Sequence, residues 1–161
     1  DKLTGLLNRQ VFSILIDKVF AEYRRDPQPI CILLVDVDHF KSINDRFGHA
    51  GGDRILSQIA ASLQEGLRAS DIAIRWGGEE FLIVLKGSAL EQAQRVAEQL
   101  RLKIEQAQFS AGTQAASVTV SIGVSQYDGT ESCEEAIGRA DAGLYAAKNG
   151  GRNRVCVAPS I

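Results

Sequence analysis

Methionine is absent from the 161 residues, so the sequence as it stands carries no initiator. That absence leads to the expectation of a portion cut from a longer protein. Cysteine is scarce. Cys31, Cys133 and Cys156 are odd in number and none belongs to a Cys-x-x-Cys pair, which excludes a disulfide framework. Cys31 and Cys156 lie inside apolar runs, where cysteine acts as a small buried hydrophobe, and the expected compartment is the reducing cytoplasm. With only His39 and His49 besides, a zinc site is not expected. The longest plain apolar run, Ile30 to Val35, is far short of the ~20 residues that span a bilayer. No secretory signal is expected at its start, and any membrane attachment is expected through a preceding N-terminal region. Basic excess is lacking too: 18 Lys and Arg face 20 Asp and Glu. That leaves no global field to hold a nucleic-acid polymer.

What is present is ordinary for a globular protein: 45% apolar and 24% charged residues. The length suits one domain, taken as residues 1–161. Val11, Phe12, Leu15, Ile16, Val19, Phe20 and Tyr23 recur at helical spacing over 9–25, with Asn8 as cap and Asp26-Pro27 as stop. Ile30 to Val35 reads as a central strand buried on both faces. A helical stripe runs from Phe47 through Ile55, Leu56, Ile59, Leu63 and Leu67. Ile72 to Trp76 and Phe81 to Leu85 flank Gly77-Gly78 as a hairpin. Ser88-x-x-Glu91 and Ser132-x-x-Glu135 are capping boxes that open two more helices. The first runs to about Gln106, and Gly150-Gly151 closes the second. Val118 to Val124 alternates as a strand, and Arg154 to Val157 suits a short edge strand. Helices alternating with single strands and one hairpin predict an α/β sandwich with a mixed sheet.

Several charges break this pattern. Asp36 and Asp38 stand at the end of the buried strand, two apart and so on one face. Alone, they read as surface acids of a solvated loop. Together, two like charges invite a divalent cation. A hairpin beside that strand would bring Glu79 in as a third carboxylate, an arrangement that suits two-metal nucleotidyl transfer. Two glycines before Glu79 let backbone approach a ligand closely. Asn44 and Asp53 each read as a turn or helix cap, yet as a pair they suit the donor and acceptor edge of guanine. Lys148 and Arg152 fit a helix C-terminus by the dipole, or a phosphate by charge.

At Gly77-Gly78-Glu79-Glu80-Phe81 the chain resembles the GGEEF form of the GGDEF-domain diguanylate cyclase signature. Asp1-x-Leu3-Thr4-Gly5-Leu6-x-Asn8-Arg9 resembles that family's opening motif. Asp36-x-Asp38-x-Phe40-Lys41-x-x-Asn44-Asp45-x-x-Gly48-His49-x-x-Gly52-Asp53 resembles its nucleotide-binding stretch. Leu144-Tyr145-x-Ala147-Lys148-x-x-Gly151-Arg152-Asn153 resembles its closing motif. The resemblance implies an α+β fold like the nucleotidyl cyclase and polymerase palm (ferredoxin-like), with a central mixed, mainly antiparallel sheet flanked by helices. It implies condensation of two GTP into cyclic di-3′,5′-GMP with release of two pyrophosphates, across a homodimer.

The resemblance also implies roles by position. Asp36, the Val37 carbonyl and Glu79 would hold Mg²⁺, two ions per GTP, with Mn²⁺ as the alternative. Glu79, Lys41 and Glu80 form the catalytic set, Glu79 accepting the 3′-hydroxyl proton and Lys41 meeting transition-state charge. Asn44 and Asp53 would read guanine with His49 beside them in the nucleotide site, Phe40 and the Gly77-Gly78 turn would lie against the nucleotide, and Lys148 and Arg152 would clamp the γ-phosphate. Arg68 and Asp71 resemble the family's R-x-x-D product-inhibition site, with Arg95 as the additional arginine; on residues alone they read as a helix end and a turn. The alternative is a non-catalytic receptor for cyclic di-GMP. Intact Asp36, Lys41 and Gly77 to Glu80 favour the enzyme.

Overall fold

The computed structural model describes residues 1–158; the expected domain end at residue 161 lies outside them. The architecture follows from β1 (Ile30–Val37), whose eight residues are all buried. A strand apolar on both faces needs cover on both. Cys31, Leu33, Val35 and Val37 face α2 (Phe40–Glu65) and α3 (Leu90–Gln106) through Ile55, Leu56, Ile59, Ala97 and Leu100. Ile30, Ile32 and Leu34 face α1 (Arg9–Arg25) and α4 (Cys133–Asn149) through Phe12, Ile16, Ala140 and Leu144. Each large apolar side chain buried this way contributes about 1.5–3 kcal/mol.

The other strands are β2 (Ile72–Arg75), β3 (Glu80–Lys86), β4 (Phe109–Ser110), β5 (Ala115–Ala116), β6 (Val120–Gln126) and β7 (Val155–Val157). The five-stranded sheet runs β2-β3-β1-β6-β7, with β4 and β5 forming a separate hairpin. Every pairing in the large sheet is antiparallel except β6 with β7. This is the mixed, mainly antiparallel sheet that was expected. Its register sets Asp36 opposite Glu80 on one side and opposite Ser121 on the other.

Helix α1 begins as expected, with the Asn8 side chain accepting from Val11 N–H at 2.9 Å. The capping box of α4 is complete, Ser132 and Glu135 each serving the other's backbone N–H. Gly123 explains why α4 lies directly on β6: a Cβ there would come within 2.0 Å of Ala140 O. That close approach seats the middle of α4, around Ala140 to Leu144, directly on β6 beside β1. Cys31 is fully buried, and burial pushes its thiol up to about 12. The three cysteines are free.

Four expectations change. Helical backbone starts at Phe40 rather than Phe47, and Gly48 (φ 76) breaks it into two segments; only glycine takes that conformation freely. Ser88 does not cap α3: Ala89 is the N-cap residue, Ser88 is buried and accepts from Arg68, and the Leu90 N–H is served by the Gln126 side chain at 2.9 Å. The β6 strand starts at Val120 and extends to Gln126, two residues later than its apolar alternation predicts at each end. Neither Gly77 nor Gly78 has positive φ, so the hairpin closes through a wider turn in which Trp76 and Gly77 N–H groups donate to Glu80 O at 2.8 and 3.1 Å.

Candidate active site

The end of β1 gathers the acids. Asp36 is 4% exposed, and Val37 N–H donates to Glu79 O at 3.2 Å, which ties the hairpin turn to the strand end. Glu80 opens β3 directly across from Asp36. Lys148, in the last turn of α4, donates to Asp36 Oδ2 at 2.8 Å. Three carboxylates and one ammonium therefore meet at one place, drawn from three elements far apart in sequence.

The electrostatics follow from that crowding. Burial pushes the Glu79 carboxyl above its usual range, and the Asp36 charge adds to the shift against a smaller opposing pull from Lys148. Burial and Asp36 raise Glu80 in the same way. Burial alone would lower the Lys148 ammonium, but its hydrogen bond and charge attraction to Asp36 prevail and hold it above its usual value. A carboxylate disfavoured by burial and by a like-charged neighbour is a common mark of a functional site.

Asp38 departs from expectation. It is buried and takes hydrogen bonds from Thr119 Oγ1, Ser121 Oγ and the Asn153 N–H. Its lone pairs are committed to protein donors, so it does not join Asp36, Glu79 and Glu80 in the cluster.

Helix α2 carries the other expected residues. His39 occupies its N-cap position in a left-handed conformation (φ 55) and makes no side-chain cap bond. The first N–H groups of an uncapped helix are available to an anion, and Phe40 and Lys41 stand in that first turn. Phe40 is buried and Lys41 is exposed. Asn44 and Asp53 lie on the two segments either side of the Gly48 break, with exposed His49 between them. The Asn44 side chain packs against Gly52 so closely that a Cβ on Gly52 would stand 1.9 Å from Asn44 Oδ1. Arg152 is exposed in the turn after α4.

The R-x-x-D residues form a unit of their own. Arg68 N–H donates to Asp71 Oδ2 at 2.9 Å, and its guanidinium reaches Asp71 Oδ1 at 3.4 Å, Lys86 O at 2.8 Å and Ser88 Oγ at 3.1 Å. Arg95 is exposed on α3. Among the described residues, no hydrogen bond or ion pair joins Arg95 to Arg68 or Asp71.

Two positions near the Gly77-Gly78 turn escaped the sequence reading. Arg75 donates to Gly78 O at 2.8 Å and pairs with Asp1 at 3.4 Å, bracing the turn against the opening motif. The Arg9 guanidinium stacks 3.8 Å above the Trp76 ring. Asp1 and Arg9 both belong to the opening motif, which was the available signal. A cavity of about 1130 Å³ lies between α1 and α4. Glu80 lines it, but Asp36, Lys41, Asn44, Asp53 and Lys148 do not. The converging charges therefore locate the candidate chemistry at the β1 end, beside this cavity rather than within it.

The sequence profile described as diguanylate cyclase, GGDEF domain, matches residues 1–154. The chain belongs to the GGDEF domain family. It is 40% identical to the diguanylate cyclase DgcP of Pseudomonas aeruginosa over 98% of this chain and 24% of that protein. Among solved structures, the GGDEF domain of DgcB from Caulobacter crescentus, in complex with c-di-GMP, superposes with a TM-score of 0.93 at 34% identity, covering 99% of this chain and 93% of that one. The active GGEEF domain of a diguanylate cyclase from Vibrio cholerae superposes with a TM-score of 0.90 at 35% identity, covering 98% of this chain and 100% of that one. This GGDEF domain spans from 24% to 38% of the length of the curated relatives it matches.

A divalent cation suits the donors of this GGDEF domain. Asp36 and Glu79 are two carboxylates whose mutual repulsion a cation would relieve. Mg²⁺ typically binds through one or two protein carboxylates and completes its shell with water and phosphate oxygens. Among the described residues, no group of three or more His, Cys, Asp and Glu side chains forms a ready-made metal cluster. No described helix is long and apolar enough to cross a membrane.

Proposed function

We propose that this chain is a single catalytic domain, residues 1–161, that condenses two GTP into cyclic di-3′,5′-GMP and releases two pyrophosphates. The observation that carries the reading is the junction of Asp36, Glu79, Glu80 and Lys148 at the end of β1. Family membership and the c-di-GMP complex of the DgcB domain support it.

Asp36, Glu79 and the Val37 carbonyl would hold two Mg²⁺ ions per GTP, with Mn²⁺ as the alternative. When bound, the metal lowers the pKa of the attacking 3′-hydroxyl and draws charge off the leaving pyrophosphate. The rest is the work of this chain's own groups. Asn44 and Asp53 hold the guanine, with His49 beside them in the nucleotide site, which fixes the α-phosphate relative to the strand end. The open first turn of α2, with Phe40 and Lys41, lies against the phosphates, and Lys41 meets charge that builds on them. Gly77 and Gly78 leave room for the nucleotide beside Glu79, which takes the 3′-hydroxyl proton; Glu80 completes the acidic face. Lys148 and Arg152 hold the γ-phosphate.

Each protomer holds one GTP, so two protomers must face each other across a two-fold axis. Product bound at Arg68 and Asp71, with Arg95, holds the halves apart and inhibits. We place the domain in the cytoplasm, with no nucleic-acid polymer as partner. The test is incubation with GTP and Mg²⁺ over a range of protein concentrations, followed by chromatographic separation of nucleotides. Cyclic di-GMP is expected to rise more steeply than linearly with protein and to be absent with Glu79→Ala. No product at any concentration, with cyclic di-GMP still bound, would instead establish a receptor domain.

A further inference from the structure

Asp38 takes no part in the chemistry above, yet it is 5% exposed and bonded on every side. Thr119 and Ser121 hydroxyls donate to it at 2.7 Å each. The remaining donor, the Asn153 N–H at 3.0 Å, comes from the turn that follows α4. In that turn Arg152 (φ 65) and Asn153 (φ 47) both lie in the left-handed region. Asparagine tolerates that region, whereas arginine seldom adopts it. Such backbone persists only where its surroundings over-determine it.

The surroundings do so here from three directions. Arg152 N–H donates back to Ala147 O at 3.0 Å. Asp38 fixes the Asn153 backbone. On the far side, Asn153 Oδ1 accepts from Arg101 at 2.7 Å and its Nδ2 donates to Glu105 at 3.2 Å. Arg101 is itself held on α3 by Glu98 and Glu105, its side chain only 12% exposed. Helical pairs three and four apart are ordinary surface features. A bond across 52 residues to a left-handed turn is not.

We propose that Asp38, Arg101 and Asn153 are positioning residues for the phosphate clamp: they set the left-handed turn that presents Arg152 to the γ-phosphate. This rests on the cyclase reading, and deepens it. Asp36, in β1, holds Lys148 at one end of the segment, and Asp38, just past the strand, holds the Asn153 backbone next to Arg152 at the other, so two acids at the β1 end act on both clamp cations. Arginine recognises phosphate through a planar fork whose value depends on orientation, and small misplacement of such a group has large effects.

The experiment is calorimetric titration of the chain with α,β-methylene GTP, which keeps the γ-phosphate but resists transfer, and with GMP as control. Arg101→Ala and Asn153→Ala are expected to weaken the triphosphate by about fivefold to tenfold, with GMP binding unchanged. In an Arg152→Ala background neither should weaken it further. Arg101→Lys keeps the charge beside Glu98 and Glu105 but lacks the fork that reaches Asn153, and replaces Arg101→Ala if that variant does not fold. Equal weakening of triphosphate and GMP, losses that add to that of Arg152→Ala, or unchanged triphosphate affinity would each overturn the proposal. A wild-type chain that binds neither nucleotide would overturn the cyclase reading as well.

Discussion

Lys148 Nζ donates to Asp36 Oδ2 at 2.8 Å, joining the last turn of α4 to the end of β1. One cation thus serves three acids, and Glu79 is left with a carboxyl that burial and Asp36 push above its usual range. The sign of the consequence is fixed. A group raised in the folded state contributes stability that is fully present below its unfolded pKa, about 4.3 for Glu, and lost as pH rises through the folded value. Ionised Glu79 therefore opposes folding at neutral pH. Glu79→Gln is expected to raise the urea midpoint at pH 7, with the gain vanishing toward pH 4. Product formation should fall at least about a hundredfold, the usual size of a lost general base. Urea titrations of both proteins between pH 4 and 8 check the first part; a variant no more stable than wild type at pH 7 would contradict it.

Gly52 separates a binding role from a folding role. A Cβ there would stand 1.9 Å from Asn44 Oδ1 and 3.2 Å from Phe40 Cζ. The Asn44 amide is the end of a side chain and can swing aside, but it cannot then present the same edge to guanine. Gly52→Ala in a helix gains up to about 1 kcal/mol of intrinsic propensity. It is expected to leave Tm unchanged or slightly raised. GTP affinity should drop about tenfold or more, the worth of one lost bidentate base contact at about 1–3 kcal/mol. Thermal unfolding and GTP titration of the same sample test both halves. Unaltered GTP binding would remove Asn44 from the guanine site.

The sequence was most legible where structure is local or strongly periodic. The uninterrupted apolar run to Val35 could only be a strand covered on both faces, Asn8 and Ser132 cap the helices they precede, and Glu135 completes the box from the first turn of α4. Legibility failed where a distant partner decides. Ser88 carries the local signature of a cap, but Arg68 takes its hydroxyl and Gln126 of β6 supplies the bond to Leu90. Asp36 and Asp38 look equivalent by spacing, yet Lys148 claims one while Thr119, Ser121 and Asn153 claim the other. The first segment of α2 was hidden because Ser42, Asn44, Asp45 and Gly48 favour turns, and its helical backbone is fixed by packing of Phe40 and Ile43 into the core. The bracing of Gly78 by Arg75 and Asp1 joins residues 74 apart, which no local pattern reports.

Arg68 and Asp71 have unequal shares in the expected inhibitory site. The Arg68 side chain is 53% exposed and that of Asp71 only 3%. Asp71 spends one oxygen on the Arg68 N–H at 2.9 Å, closing the turn after α2, while the guanidinium keeps an open face beside its bonds to Lys86 O and Ser88 Oγ. A ligand can therefore reach Arg68 directly, whereas Asp71 acts chiefly by holding the turn. At 3.4 Å and with so exposed a guanidinium, the ion pair contributes at most about 1 kcal/mol to folding. Arg68→Ala is expected to leave initial velocity and Tm nearly unchanged while abolishing inhibition by added cyclic di-GMP. Asp71→Asn should lower stability by about 1 kcal/mol through the weakened turn bond and relax inhibition only in part. Initial rates across a series of cyclic di-GMP concentrations distinguish the two variants. Inhibition that persists undiminished in Arg68→Ala would mean that these residues are a helix terminus and a turn, and that product acts elsewhere.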